Sequence, residues 1–261
     1  MPRLAVVTLL TRAALAPLAA MALAPSPMAP ATEPERPVPF KIGETLTYDV
    51  SWSSFFTAGT AVTAVKDKHP SFGSTAYYIV AEGRSGPLLS ALYPTYYKVD
   101  TLLDSVTLLA QRGSTYSEEG HRHRYRTTRF DRPARKVFFE SQTDTSVASE
   151  LAAPPSSQDV LSAVYAMRAM TFTAGTRVTM PVSDNGKNYS VRFEIGAPEF
   201  VPLSTGAVRA WRIAAMVLDD HEEAFGRNLA IWMSDDARHL PVRLQAALPV
   251  GDFDLTLRSA R

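Results

Sequence analysis

No cysteine occurs anywhere in the 261 residues. That excludes disulfides, thiolate metal sites, a cysteine nucleophile and a lipidated N-terminal cysteine in this chain. An excess of one charge is also missing, with 27 Lys and Arg against 26 Asp and Glu. So even a balance gives no electrostatic footprint of a nucleic-acid binder. Serines are plentiful, but no G-x-S-x-G elbow, phosphate loop or dinucleotide fingerprint is present. No cofactor is implied.

Acidic residues are absent from residues 1–31, which read as an export signal. Arg3 and Arg12 make a basic start, and Ala13 to Ala24 forms an apolar core. That core is far shorter than the roughly 20 residues a bilayer span requires. Ala22-Leu23-Ala24 resembles a cleavage box, but Pro25 behind it hinders cutting there. Ala29-Pro30-Ala31 and Ala20-Met21-Ala22 offer alternatives. An uncleaved membrane anchor is the competing reading. Removal of residues 1–31 leaves 25 basic against 26 acidic residues. The expectation is a periplasmic protein that is cleaved and not a lipoprotein. Residues 32–39 read as an extended, poorly ordered proline-rich linker, and residues 40–261 as one domain.

What the chain does contain is strand grammar. From Leu229 to Leu257 three short alternating runs follow one another. Leu229, Ile231 and Met233 share a face, as do Val242, Leu244 and Ala246, and then Phe253, Leu255 and Leu257. Ser234-Asp235-Asp236-Ala237 and Pro249-Val250-Gly251-Asp252 supply the turns. One apolar and one polar face marks an antiparallel sheet covered on one side. The same pattern recurs upstream. Leu46, Tyr48, Val50 and Trp52 alternate with polar residues, and Gly59 marks a bulge or close backbone approach. Strands are expected over Ala58–Val65, Gly73–Glu82, Tyr96–Leu103, Val106–Gln111, Val178–Val182, Tyr189–Ile195 and Val208–Leu218. Asp184-Asn185-Gly186 signals a hairpin, and Gln142 to Pro155 reads as a loop.

Two helical segments interrupt the strands. Pro87 opens a short turn that Pro94 must end. Ser156 or Ser157 caps a helix over Gln158–Met170, with an apolar stripe of Val160, Leu161, Val164, Met167 and Met170. Asp159 and Arg168 lie on its opposite sides, so each ties the helix to the sheet and neither pairs with the other. About eleven or twelve strands and one real helix give a mainly β fold. Its expected form is a large, strongly curved antiparallel sheet, half-barrel or spiral-like, around the packed helix. A two-sheet sandwich is the alternative.

Three segments carry a family resemblance. They are PFKIGETLTYDVSWSSFFTAGTA from Pro39, DVLSAVYAMRAM from Asp159 with Gly175 beyond it, and WMSDDARHLPVRLQAALPVGDFDLTL from Trp232. Together they resemble domain of unknown function 3108, a family of exported bacterial proteins, over Pro39 to Leu257. The resemblance implies a secreted, mostly β protein of unassigned role. It brings no catalytic residues.

Candidate chemistry is sparse. His121 and His123 share a strand face, as two metal ligands would. A third ligand has to come from elsewhere, such as His69, His221, Glu222 or His239, and the reading is that there is no metal site. Arg122, Arg124 and Arg126 share the opposite face and suit anionic oxygens; an edge strand guarded by charge is the alternative. Asp235, Asp236 and His239 read as a turn. The aromatic residues Trp52, Tyr93 and Tyr97 join the three arginines as ligand-binding candidates, in a cleft between the sheet, the Pro87–Tyr93 turn and the helix.

The resulting reading is a non-enzymatic periplasmic protein of the cell envelope that binds a lipid-like or other amphipathic molecule. The alternatives are a structural or interaction protein with an envelope partner, and an uncharacterised hydrolase or metal enzyme. No nucleic acid is expected as a partner. Export makes a direct prediction. N-terminal sequencing of the periplasmic protein begins between Leu23 and Thr32; intact Met1 on membrane-bound protein contradicts it.

Overall fold

Alternating apolar and polar residues put most of the chain into strands. The computed structural model describes residues 33–53, 56–143, 145–248 and 251–261. The expected signal segment, residues 1–31, and the Pro249-Val250 turn lie outside the described residues. Among the described residues the strands are β1 (Thr45–Trp52), β2 (Phe56–Ser71), β3 (Ser74–Ser85), β4 (Thr95–Asp104), β5 (Ala110–Glu119), β6 (Arg122–Asp131) and β7 (Lys136–Gln142). They continue as β8 (Ser146–Ala152), β9 (Arg177–Asp184), β10 (Lys187–Leu203), β11 (Gly206–Leu218), β12 (Ala224–Ser234), β13 (Pro241–Leu248) and β14 (Gly251–Ala260). Two helices accompany them, α1 (Pro87–Leu92) and α2 (Val160–Arg168).

All of these strands join one 14-stranded sheet in the order β8-β7-β6-β5-β4-β3-β2-β1-β14-β13-β12-β11-β10-β9. Two antiparallel meanders therefore run outward from a central β1–β14 pair, in which Leu46 faces Ala260 and Trp52 faces Phe253. A single sheet replaces the sandwich alternative. The sheet curls without closing into a barrel. Its two ends, β8 and β9, nevertheless come near each other. Asn188 Nδ2 donates to the Ala152 carbonyl at 2.7 Å, and Gln158 forms a parallel bridge with Val182. Gly186, in the β9–β10 turn, lies so close to the Phe139 ring of β7 that a Cβ there would sit 2.9 Å from it.

Several local expectations change. Gln142 to Pro155 is not a loop, because β8 pairs along the whole of β7. Its small polar residues give little alternation, since the strand is an exposed edge. Residues 106–109 are a turn: Asp104 Oδ1 accepts from the Val106 and Thr107 amides at 3.0 and 2.8 Å. Strand β6 is not an edge strand: β5 and β7 flank it from Tyr125 to Asp131, which takes in Arg126, whereas Arg122 and Arg124 lie beyond the end of β7 and pair with β5. Residues 35–38 lie along the fold; the Arg36 amide donates to the Ser105 carbonyl at 2.9 Å, and Glu35 pairs with Lys68.

Helix α2 starts at neither Ser156 nor Ser157. Gln158 stays extended to bridge Val182, so Asp159 becomes the N-cap. Its Oδ1 accepts from the Ser162 amide at 2.8 Å, and the Ser162 hydroxyl accepts from the Asp159 amide at 3.0 Å. This reciprocal capping satisfies two otherwise orphaned donors. At the other end Arg168 is fully buried. Its guanidinium donates to both Glu44 oxygens at 2.6 and 3.0 Å. It also donates to the Arg238 and His239 carbonyls at 3.1 and 3.2 Å. His239 Nδ1 in turn lies 2.7 Å from the Arg168 carbonyl oxygen. Asp159 and Arg168 thus anchor opposite ends of α2 to different parts of the sheet.

Between those anchors the helix serves both arms. Leu161 and Tyr165 pack with Phe40, Val65, Ile79 and Leu103. Met167 packs with Ile195, Ile213, Ile231 and Met233, and Ala163 with Val182 and Val191. The expected stripe is therefore split. Val160 is 56% exposed and Val164 half-buried, because these two face an open hollow. Urea unfolding separates the roles. Leu161→Ala is expected to cost about 2–5 kcal/mol, Glu44→Gln about 3–5 kcal/mol by leaving Arg168 without its counter-charge, and Val160→Ala no more than about 0.5 kcal/mol. Equal small losses at Leu161 and Val160 contradict this packing.

Candidate functional site

The hollow lies beside the Val160–Val164 face of α2, whose two ends are tied to the sheet by hydrogen bonds. At the N-terminal end, Gln158 donates to the Leu108 carbonyl at 2.8 Å and accepts from the Ala110 amide at 2.9 Å. Thr101 Oγ1 donates to Asp159 Oδ2 at 2.5 Å. Gly113 permits this approach, since a Cβ there would lie 3.1 Å from the Asp159 carboxylate. Burial pushes the Asp159 carboxyl up to about 6, against the hydrogen bonds from Ser162 and Thr101 that favour its ionised form.

Two cavities flank the exposed stripe of α2. The first, of about 420 Å³, lies toward β1–β7 and is lined by Ala61, Ala81, Val99, Leu161, Phe139 and Tyr48, among others. The second, of about 520 Å³, lies toward β9–β13 and is lined by Met167, Val191, Phe193, Ala215 and Ile231, among others. They share Val160 and Val164 of the helix, Leu244 and Leu255 of the central strands, and Asp184 and Asn185 of the β9–β10 turn. They are two lobes of one trough with a common wall. Sites of about 300–1,000 Å³ with mostly apolar linings and a few polar groups are the usual form of small-molecule pockets.

Polar side chains are more numerous in the first lobe than in the second. Thr115, Arg126 and Thr128 line the first with Tyr97. Among the described residues lining either lobe, Arg126 is the one cation. Burial raises the Asp184 carboxyl, and the nearby Arg126 charge opposes that rise. The Tyr97 hydroxyl donates to Glu119, and burial together with that bond pushes it up to about 12. Three other carboxylates line this lobe, Glu82, Asp159 and Asp100, and the last two are already engaged. Asp159 is bound as above, and Asp100 accepts from Ser114 and Arg112.

Of the six candidate ligand residues, the structure brings Tyr97 and Arg126 to the trough. Arg122 and Arg124 instead line a separate polar hollow with Tyr116, His121, His123 and Tyr125. Tyr93 caps α1 and is 52% exposed, packed beside the Gly120 turn. Trp52 ends β1, against Gly251. Among the described residues, helix α1 supplies none to the lining of the trough. His123 stacks on Tyr116 with ring centroids 6.5 Å apart. Among the described residues no three His, Asp or Glu side chains gather to hold a metal. Asp235 and Asp236 brace the β12–β13 turn, accepting from Trp211 Nε1 at 2.7 Å and from the Ser234 hydroxyl at 2.8 Å. The lining residues Leu244, Leu255, Val191 and Phe193 read in the sequence only as core. The Asn-Gly turn that places Asp184 and Asn185 was legible as a turn, without the trough.

Comparison with known proteins agrees with this architecture. The family described as "Protein of unknown function (DUF3108)" matches residues 47–258. A β-barrel-like protein of domain of unknown function DUF1849 from Brucella abortus shares the fold. It has a TM-score of 0.51 and 10% identity, covering 84% of this chain and 97% of that one. A protein proposed to be exported, with a YmcC-like fold, from Bacteroides fragilis matches at TM-score 0.34 and 9% identity, covering 87% and 98%. No curated protein sequence matches.

The Asp159 carboxyl has a consequence for stability. Its pKa is about 6 when folded against 3.8 for the free group. Between those values the folded state holds the extra proton, so stability falls as pH rises through this window and the loss is complete above it. Relative to Asp159→Asn, which still caps the helix, the wild-type protein is expected to lose up to about 3 kcal/mol between pH 4 and 7. Urea unfolding of both proteins across that range checks it, and a pH-independent difference contradicts it.

Proposed function

We propose a carrier function for this chain, which belongs to the DUF3108 family of proteins of unknown function. It is an exported protein of the cell envelope that holds an amphipathic, lipid-like molecule in the trough beside α2. The observation that carries this reading is the distribution of lining groups. Valine, leucine and alanine side chains form much of the walls, and Arg126 lines the first lobe together with Tyr97, Thr115 and Thr128. Apolar walls favour hydrocarbon through burial of surface from water. A guanidinium favours anionic oxygens through charge-assisted hydrogen bonds. Export rests on the acid-free, basic and apolar composition of residues 1–31.

A second reading, an envelope interaction protein, is favoured by β8. This edge strand is exposed along nearly all of its length, and Val147 is 58% exposed. Such an edge offers unpaired backbone groups to a partner strand.

Delipidated protein titrated with an anionic lipid and a neutral lipid of identical chains separates the two. The carrier reading expects saturable binding of the anionic lipid at one equivalent. Arg126→Ser is expected to weaken that binding about tenfold or more, the factor for a charged hydrogen bond, with little effect on the neutral lipid. No saturable binding of either lipid overturns the carrier reading.

A further inference from the structure

The trough has two mostly apolar lobes, with a lining cation in the first. Its lobes, of about 420 and 520 Å³, meet along Val160, Val164, Leu244 and Leu255. At the same junction stand Asp184 and Asn185. The second lobe adds an almost wholly apolar lining. Among the described residues only the first lobe carries a cation, Arg126, and that cation is close enough to Asp184 to act on its charge. On the carrier reading above, we infer that the ligand is a two-chain lipid bearing one anionic head, with one hydrocarbon chain in each lobe and the head at Arg126.

Three physical points favour this occupant. A single-chain ligand leaves one lobe's apolar wall in water and forgoes the gain that scales with its buried area. Two separate single-chain ligands would each lose translational and rotational freedom on binding. They would also bring two anionic heads to one lining cation. One branched molecule fills both arms, loses that freedom once and presents one head.

The geometry supplies its own test. Gly83 lines only the first lobe, and a Cβ built there meets nothing within 4 Å, so Gly83→Leu adds a side chain into open space. Ala215 lines only the second lobe, so Ala215→Leu narrows that arm. Neither change replaces Arg126, Asp184 or Asn185. The probes are dioleoyl phosphatidylglycerol and its monooleoyl lyso form, titrated into delipidated full-length protein and counted by native mass spectrometry.

The wild-type protein is expected to bind one diacyl lipid per chain, about tenfold or more tighter than the lyso lipid, since each extra buried methylene adds affinity. Each single variant is expected to lose that preference and to keep its affinity for the lyso lipid, whose one chain uses the open arm. The double variant is expected to lose both. Equal affinity of the wild-type protein for the two lipids overturns the two-chain assignment and leaves the carrier reading standing; this comparison needs no variant to fold. A single variant that abolishes both lipids, with the other harmless, likewise overturns it. Failure of the wild-type protein to bind either lipid overturns both readings.

Discussion

The buried Arg168–Glu44 pair is the constraint on which the rest of this structure depends. Two charges removed from water are costly, and their attraction offsets that cost only with good geometry and further hydrogen bonds. Here the guanidinium meets both carboxylate oxygens and two backbone carbonyls, and it lies 5.4 and 5.1 Å from the rings of Phe40 and Tyr165. Those contacts join the C-terminal end of α2 to the start of β1 and to the β12–β13 turn. They come from opposite sides of the central β1–β14 pair. One side chain therefore fixes the helix relative to both meanders.

Because Asp159 fixes the other end, α2 cannot settle fully onto the sheet. Leu161, Tyr165, Ala163 and Met167 find buried partners toward the two arms. Val160 stays exposed and Val164 only partly buried, and both line the trough. The curl of the sheet completes it. The Asn188–Ala152 hydrogen bond and the Gly186–Phe139 contact bring the far ends of the meanders together above this space. A trough made this way is a product of where the helix is anchored: hydrogen bonds hold both ends of α2, and the Val160–Val164 face between them lines the open space.

Much of the architecture was legible in the sequence, because β-strand alternation is a local signal. The three C-terminal runs, the Asn-Gly hairpin and the place of Gly59 against the Arg84 backbone all follow from period-two patterning and turn chemistry. The separate anchoring of Asp159 and Arg168 followed from helical geometry alone. What failed was set by tertiary contacts. Strand β8 has little alternation because it is an edge. The helix start moved because Gln158 is held extended by Val182. Val160 belongs to the helical stripe by spacing but not by burial, since the helix is shared between two arms. The site was only half legible. Tyr97 and Arg126 line the trough, whereas Trp52, Tyr93, Arg122 and Arg124 do not, because strand position along the sheet is invisible to a one-dimensional pattern. The lining leucines and valines gave no signal that distinguished them from core.

The central claim is that hydrocarbon enters the trough beside the exposed stripe of α2. The absence of cysteine permits a clean measurement. A single cysteine at Val160, 56% exposed toward the trough, carries a fluorophore, and a phosphatidylglycerol with a nitroxide on its acyl chain is titrated in. A second protein carries the label at Ser149 on the exposed face of β8. Quenching at Val160 is expected to saturate at one lipid per protein, with none at Ser149. Equal quenching at the two positions, or no saturable quenching at Val160, contradicts it.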